Sequence, residues 1–194
     1  MTTDRLPEDR NWVASTGLSR RGVLVGGTFA AGFAAAVQPV AASTIKTGLE
    51  GLDERTLSIS VQQGRMPAYR VKPAGSGRAP VILVVHEIFG VHEWIKDICR
   101  RLAHAGYYAI APDLYARWGD VTKESDIQTL VSTIVSKVPD PIVMADLDAA
   151  AAFAAAVGGD PSKLGITGFC WGGRITWLYA AYSPRVDAGV AWYG

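Results

Sequence analysis

The stretch Gly168-Phe169-Cys170-Trp171-Gly172-Gly173 decides how this chain is read. Residues 163–167, just before it, read as a short buried strand, and residues 174–182, just after it, read as a helix. A Gly-x-Cys-x-Gly segment between strand and helix predicts a sharp turn, a nucleophile elbow that lifts its central side chain to the carboxyl end of a sheet. The elbow glycines are Gly168 and Gly172. Small residues belong at those two places because a side chain there collides with neighbouring backbone. Cys170 is then the candidate nucleophile, and the free N–H groups and partial positive charge of the helix start are expected to favour its thiolate.

Working outward, strands and helices alternate. Residues 56–61 and 66–71 read as two strands joined by the turn Gln62-Gln63-Gly64-Arg65, with residues 43–55 a polar lead-in. Residues 81–85 form a β-branched run suited to a central parallel strand buried on both faces. Residues 93–105 place Trp94, Ile95, Ile98 and Leu102 at helical spacing, and Gly106 stops them. A strand over residues 107–111 ends at Pro112, and residues 123–137 have mixed helical character. An Ala-rich helix over residues 142–157, a turn over 158–162 and a last apolar strand over 186–192 complete the pattern. The expected class is α/β, an open and mostly parallel sheet with helices on both faces.

A second stretch, Val85-His86-Glu87-Ile88-Phe89-Gly90, follows the central strand. In an α/β-hydrolase this loop supplies one oxyanion-hole N–H, and the residue after the nucleophile supplies the other. Those donors would be the backbone N–H groups of Ile88 and Trp171, each contributing about 3 kcal/mol of transition-state stabilisation. Glu87 stands at the rim of the same crevice, where a carboxylate can take a thiol proton. His86 is expected to be structural, because alternation along the strand points it and Glu87 to opposite faces. His92 and His104 read as solvent-facing, and Trp171 as a wall of the acyl pocket.

These two stretches, with Pro112-Asp113-Leu114-Tyr115-Ala116-Arg117 and Ala191-Trp192-Tyr193-Gly194, resemble the dienelactone hydrolase (carboxymethylenebutenolidase) family from about residue 57 to residue 194. The resemblance implies an α/β-hydrolase that cleaves cyclic enol-lactones and related esters without metal or cofactor. It implies Cys170 as nucleophile, Glu87 as the group that activates it when substrate arrives, and an Asp and a His further along the chain. It also implies a substrate-binding arginine after the Pro-Asp-Leu-Tyr motif. No arginine lies between Trp118 and Leu164, which leaves Arg117, Lys123 and Arg174 as stand-ins.

All three histidines, His86, His92 and His104, precede Cys170, and Asp187 is the sole acid after it, at the start of a strand. The triad order nucleophile, acid, histidine is therefore incomplete. The expectation is an N-terminal portion of a longer hydrolase, with its last strands missing and the fragment inactive. Two other readings stay open: a vestigial module that binds ligand without turnover, and a class I glutamine amidotransferase. The amidotransferase places a cysteine in such an elbow but has cytoplasmic partners.

The whole chain bounds these readings. A formal charge of +1 over 194 residues, with scattered Lys and Arg, excludes a nucleic-acid surface. Two cysteines make no disulfide framework, and Cys99 reads as a small buried hydrophobe. Ser19-Arg20-Arg21-Gly22-Val23-Leu24 opens an uncharged stretch that runs to residue 37, and Val40-Ala41-Ala42 offers a cleavage site. Residues 1–42 thus read as a twin-arginine signal peptide, with Arg20 and Arg21 engaging the translocation machinery. Residues 43–194 read as the hydrolase portion, exported to the periplasm or beyond.

Overall fold

The computed structural model describes residues 46–194 apart from Ser76, so the signal residues Arg20, Arg21 and Ala42 lie outside the described residues. Six strands form one sheet: β1 Leu52–Val61, β2 Gly64–Pro73, β3 Ala79–Val85, β4 Tyr108–Pro112, β5 Gly159–Phe169 and β6 Ala188–Trp192. Their order is β1-β2-β4-β3-β5-β6. The first hairpin and the β2–β4 pair are antiparallel, whereas β3 pairs in parallel with both β4 and β5, and β5 with β6. The helices among the described residues are α1 Glu93–His104, α2 Ile127–Thr133, α3 Asp140–Ala156 and α4 Trp171–Tyr182.

Side-chain alternation on the central strands divides the core in two. Val81, Leu83 and Val85 of β3, with Tyr108 and Ile110 of β4, face one side, where Leu147 of α3 and Ile175 and Tyr179 of α4 cover them. Val84 of β3, with Ala109 and Ala111 of β4, faces the other side, under Ile95, Cys99 and Ala103 of α1. Cys99 is fully buried, as expected of a small hydrophobe. No helix among the described residues is long and apolar enough to cross a membrane.

Two strand starts differ most from the sequence reading. The strand β1 starts at Leu52, inside the stretch expected to be a polar lead-in, because Leu52–Arg55 pair with residues 70–73 of β2. Its charged residues find cross-strand partners: Asp53 meets Arg70 at 2.8 Å, and Glu54 accepts from the Tyr69 hydroxyl. Likewise β5 starts at Gly159, where a turn was expected, and Gly159 and Asp160 pair with Ala79 and Pro80. A Cβ on Gly159 would lie 2.4 Å from Val81 Cγ2 and 2.8 Å from the Ala154 carbonyl, so only glycine lets the strand pass so close to the end of α3. Residues 161–163 then bulge, and Asp160 holds the bulge by accepting from the Ser162 N–H at 3.0 Å.

Candidate active site

The strand β5 ends at Phe169, α4 begins at Trp171, and Cys170 alone makes the turn between them. It does so at φ 54° and ψ −119°, a backbone conformation that costs a non-glycine residue about 1–3 kcal/mol. Its N–H donates to the Trp192 carbonyl at 3.0 Å, and its own carbonyl accepts from Gly173 at 2.9 Å and Arg174 at 3.1 Å. The neighbouring glycines are required by space. A Cβ on Gly168 would lie 2.2 Å from the Gly172 carbonyl oxygen, and one on Gly172 would lie 2.4 Å from that of Val85. The sequence reading named these two; Gly173 is a third, with the Trp192 carbonyl 2.6 Å from where its Cβ would stand.

The electrostatics at Cys170 correct one expectation. The backbone N–H of Trp171, at the start of α4, favours the thiolate, as a helix start should. Burial outweighs it, and the negative charge of Glu87 adds to burial, so the thiol is pushed up from its ordinary range. Its surroundings therefore favour the thiol over the thiolate.

Glu87 is buried rather than a surface carboxylate, and its Oε2 lies 3.0 Å from Nε2 of His92. His92, read as solvent-facing, is instead turned onto this carboxylate and only partly exposed. The reversal comes from Gly90, whose φ of 75° folds the loop back so that the residue capping α1 returns to Glu87. A Cβ on Gly90 would also meet Val121 Cγ2 at 2.9 Å. Beside His92 opens a hollow of about 340 Å³, lined also by Phe89, Asp113, Ala116 and Asp120. His104 lies apart, 3.0 Å from the Gly48 carbonyl.

His86 is fully buried, in a T-shaped contact with Tyr115 and stacked on Trp171, with ring centroids at 4.8 Å and 5.7 Å. Its Nε2 accepts the Leu114 N–H at 3.1 Å. Its proton therefore sits on Nδ1, which donates to the Glu87 carbonyl at 2.6 Å. Burial lowers its pKa and keeps the ring neutral. Among the described residues, neither the Ile88 nor the Trp171 N–H donates to a backbone carbonyl. Trp171 also lines a hollow of about 350 Å³ with Val135, Val138, Asp140 and Arg174.

The three cationic stand-ins differ. Arg174 is held by Asp140 at 2.9 Å and 2.7 Å, and Lys123 is a surface group 3.2 Å from Asp120. Arg117 is largely buried and pairs with Asp146 of α3, while its Nε and Nη1 have no partner among the described residues. It is thus the one stand-in whose unpartnered donors are buried. Asp187 accepts from the Leu164 N–H at 2.8 Å and clamps a strand start. No three His, Cys, Asp or Glu side chains among the described residues gather to hold a metal.

Known proteins resemble this chain in sequence and fold. A sequence model of the dienelactone hydrolase family fits residues 66–194. A protein of Methylorubrum extorquens named "Putative carboxymethylenebutenolidase" is 62% identical over 187 residues, which are 95% of this chain and 64% of its own. One of the same name from Salmonella typhi is 55% identical over 168 residues, 86% of this chain and 62% of its own. The crystal structure of a "Putative Dienelactone Hydrolase" from Klebsiella pneumoniae superposes with a TM-score of 0.73 at 57% identity, covering 74% of this chain and 60% of that one. This chain spans less than two thirds of the length of each of these relatives.

Proposed function

This chain belongs to the dienelactone hydrolase family, with an α/β-hydrolase fold, and on that premise we propose that Cys170 opens a lactone or ester of a small organic acid. The observation that carries the reading is the strained turn at Cys170, which sets this residue between the end of β5 and the start of α4. Glu87 takes the thiol proton, and the thiolate attacks the carbonyl carbon. The N–H groups of Ile88 and Trp171 then hold the negative oxygen. Collapse of the tetrahedral species expels the alkoxide and leaves a thioester on Cys170. Arg117, whose Nε and Nη1 have no partner among the described residues, is our candidate to hold a substrate carboxylate. The family assignment removes the amidotransferase reading.

Release of the acyl group needs a base to activate water, and no histidine follows Cys170 in these 194 residues. The chain itself should therefore acylate and stop. Incubation with p-nitrophenyl acetate followed by intact-mass measurement tests this. One acetyl group on wild-type protein and none on Cys170→Ala is expected; acetylation that survives the substitution refutes Cys170 as nucleophile. The leader reading adds that the protein is exported, and sequencing of exported material from Ser43 onward would support it.

A further inference from the structure

We infer that His86 is a positioning residue for the oxyanion hole, acting through the peptide plane between Glu87 and Ile88. The inference rests on the reading of Cys170 as nucleophile and goes beyond it, because both ring nitrogens of His86 bond to backbone groups rather than to Cys170.

A trans peptide points its C=O and the following N–H in opposite directions. The Glu87 carbonyl and the Ile88 N–H belong to one such plane. A donor that fixes the carbonyl on one side therefore aims the N–H to the other. His86 is that donor, through Nδ1 at 2.6 Å, and its tautomer is fixed because Nε2 is occupied by the Leu114 N–H. The ring is anchored from β4's end and lies on the face of Trp171, whose N–H is the other proposed donor. The backbone closes the same arrangement: the His86 carbonyl oxygen lies 2.5 Å from where a Gly172 Cβ would stand. One buried imidazole thus sets the Ile88 donor relative to the elbow. Nothing else among the described residues bonds to the Glu87 carbonyl.

Two reactions at Cys170 separate this role from mere support of the fold. Acetylation by p-nitrophenyl acetate passes through an oxyanion, whereas alkylation by iodoacetamide displaces iodide and forms none. In the full chain, His86→Phe keeps the ring volume and removes both hydrogen bonds. It is expected to slow acetylation about tenfold to hundredfold more than alkylation, short of the full loss of one hole donor. His86→Gln, whose amide can donate to the Glu87 carbonyl, should recover most of the difference. Equal slowing of both reactions, no slowing of either, or a glutamine variant as poor as phenylalanine overturns the proposal.

A readout on wild-type protein covers the case in which these variants do not fold. A trifluoromethyl ketone adds to the Cys170 sulfur and places an oxyanion against the Ile88 N–H. Polarisation of that peptide should strengthen its carbonyl as an acceptor and shift the His86 Nδ1–H signal in ¹⁵N–¹H NMR. An adduct that forms while the His86 signal stays in place overturns the proposal. Protein that is alkylated at Cys170 yet neither acetylated nor trapped by the ketone overturns the nucleophile reading and this one with it.

Discussion

Replacing Gly172 by alanine should damage both the fold and the chemistry, and the two losses can be sized from one contact. The new Cβ would sit 2.4 Å from the Val85 carbonyl oxygen and 2.5 Å from that of His86. Ordinary contact begins at 3.4 Å, so the start of α4 must move about 1 Å from the end of β3. Both neighbours are backbone and cannot swing aside as a side chain would. Forced overpacking of this kind costs about 1–3 kcal/mol, and here the upper figure applies, about 3 kcal/mol. For a domain of this size that lowers Tm by about 6–12 °C. The same 1 Å separates the Trp171 and Ile88 donors, and a misplacement of that size costs about a hundredfold in rate. Thermal denaturation and the p-nitrophenyl acetate burst would be measured on Gly172→Ala, with Gly189→Ala as a control. A Cβ on Gly189 meets nothing closer than Ile166 Cγ2 at 3.6 Å, so that variant should keep the wild-type Tm within about 2 °C. Gly172→Ala protein with wild-type Tm and an undiminished burst would refute the close approach of elbow and β3 loop.

Two further outcomes follow from charge and burial. Iodoacetamide should label Cys170 alone, since Cys99 is fully buried and burial pushes its thiol far up. The rate should climb with pH past the ordinary thiol range, because a raised pKa leaves less thiolate at neutrality; a plateau below pH 7 contradicts the resting thiol. Glu87→Gln should move the two reactions in opposite directions, speeding alkylation at pH 7 by removing a repelling charge and slowing acetylation by removing the proton acceptor. Asp146→Asn strips a largely buried Arg117 of its counter-charge and should cost about 3 kcal/mol, or about 6–12 °C in Tm. A fall of less than about 2 °C would show that solvent already reaches that guanidinium.

The central strands were legible because burial on both faces leaves an unbroken apolar run, as in Val81-Ile82-Leu83-Val84-Val85. The elbow was legible because glycine spacing around a nucleophile reflects a collision with backbone, a local constraint. The polar start of β1 was not, since its pairing is set by partners on β2 such as Arg70 and Tyr69. His92 escaped for a related reason. Helical spacing describes the side chains that follow it, but its contact with Glu87 depends on the left-handed turn at Gly90, and Gly90 was the one local signal that could have found it. The resting charge of Cys170 was misread because a helix start is visible in sequence, whereas the burial and the carboxylate that oppose it arise only once β3 and β5 lie side by side.

The left-handed backbone at Cys170 bears on how this protein could be engineered. Glycine is the residue that adopts such a conformation freely, so at position 170 the choice that best suits the backbone is one that can do no chemistry. A library screened for heat resistance alone should therefore enrich Cys170→Gly, together with substitutions that fill space elsewhere, and would discard the nucleophile as it gained robustness. Directed evolution of this chain needs a selection that demands reactive sulfur in every round.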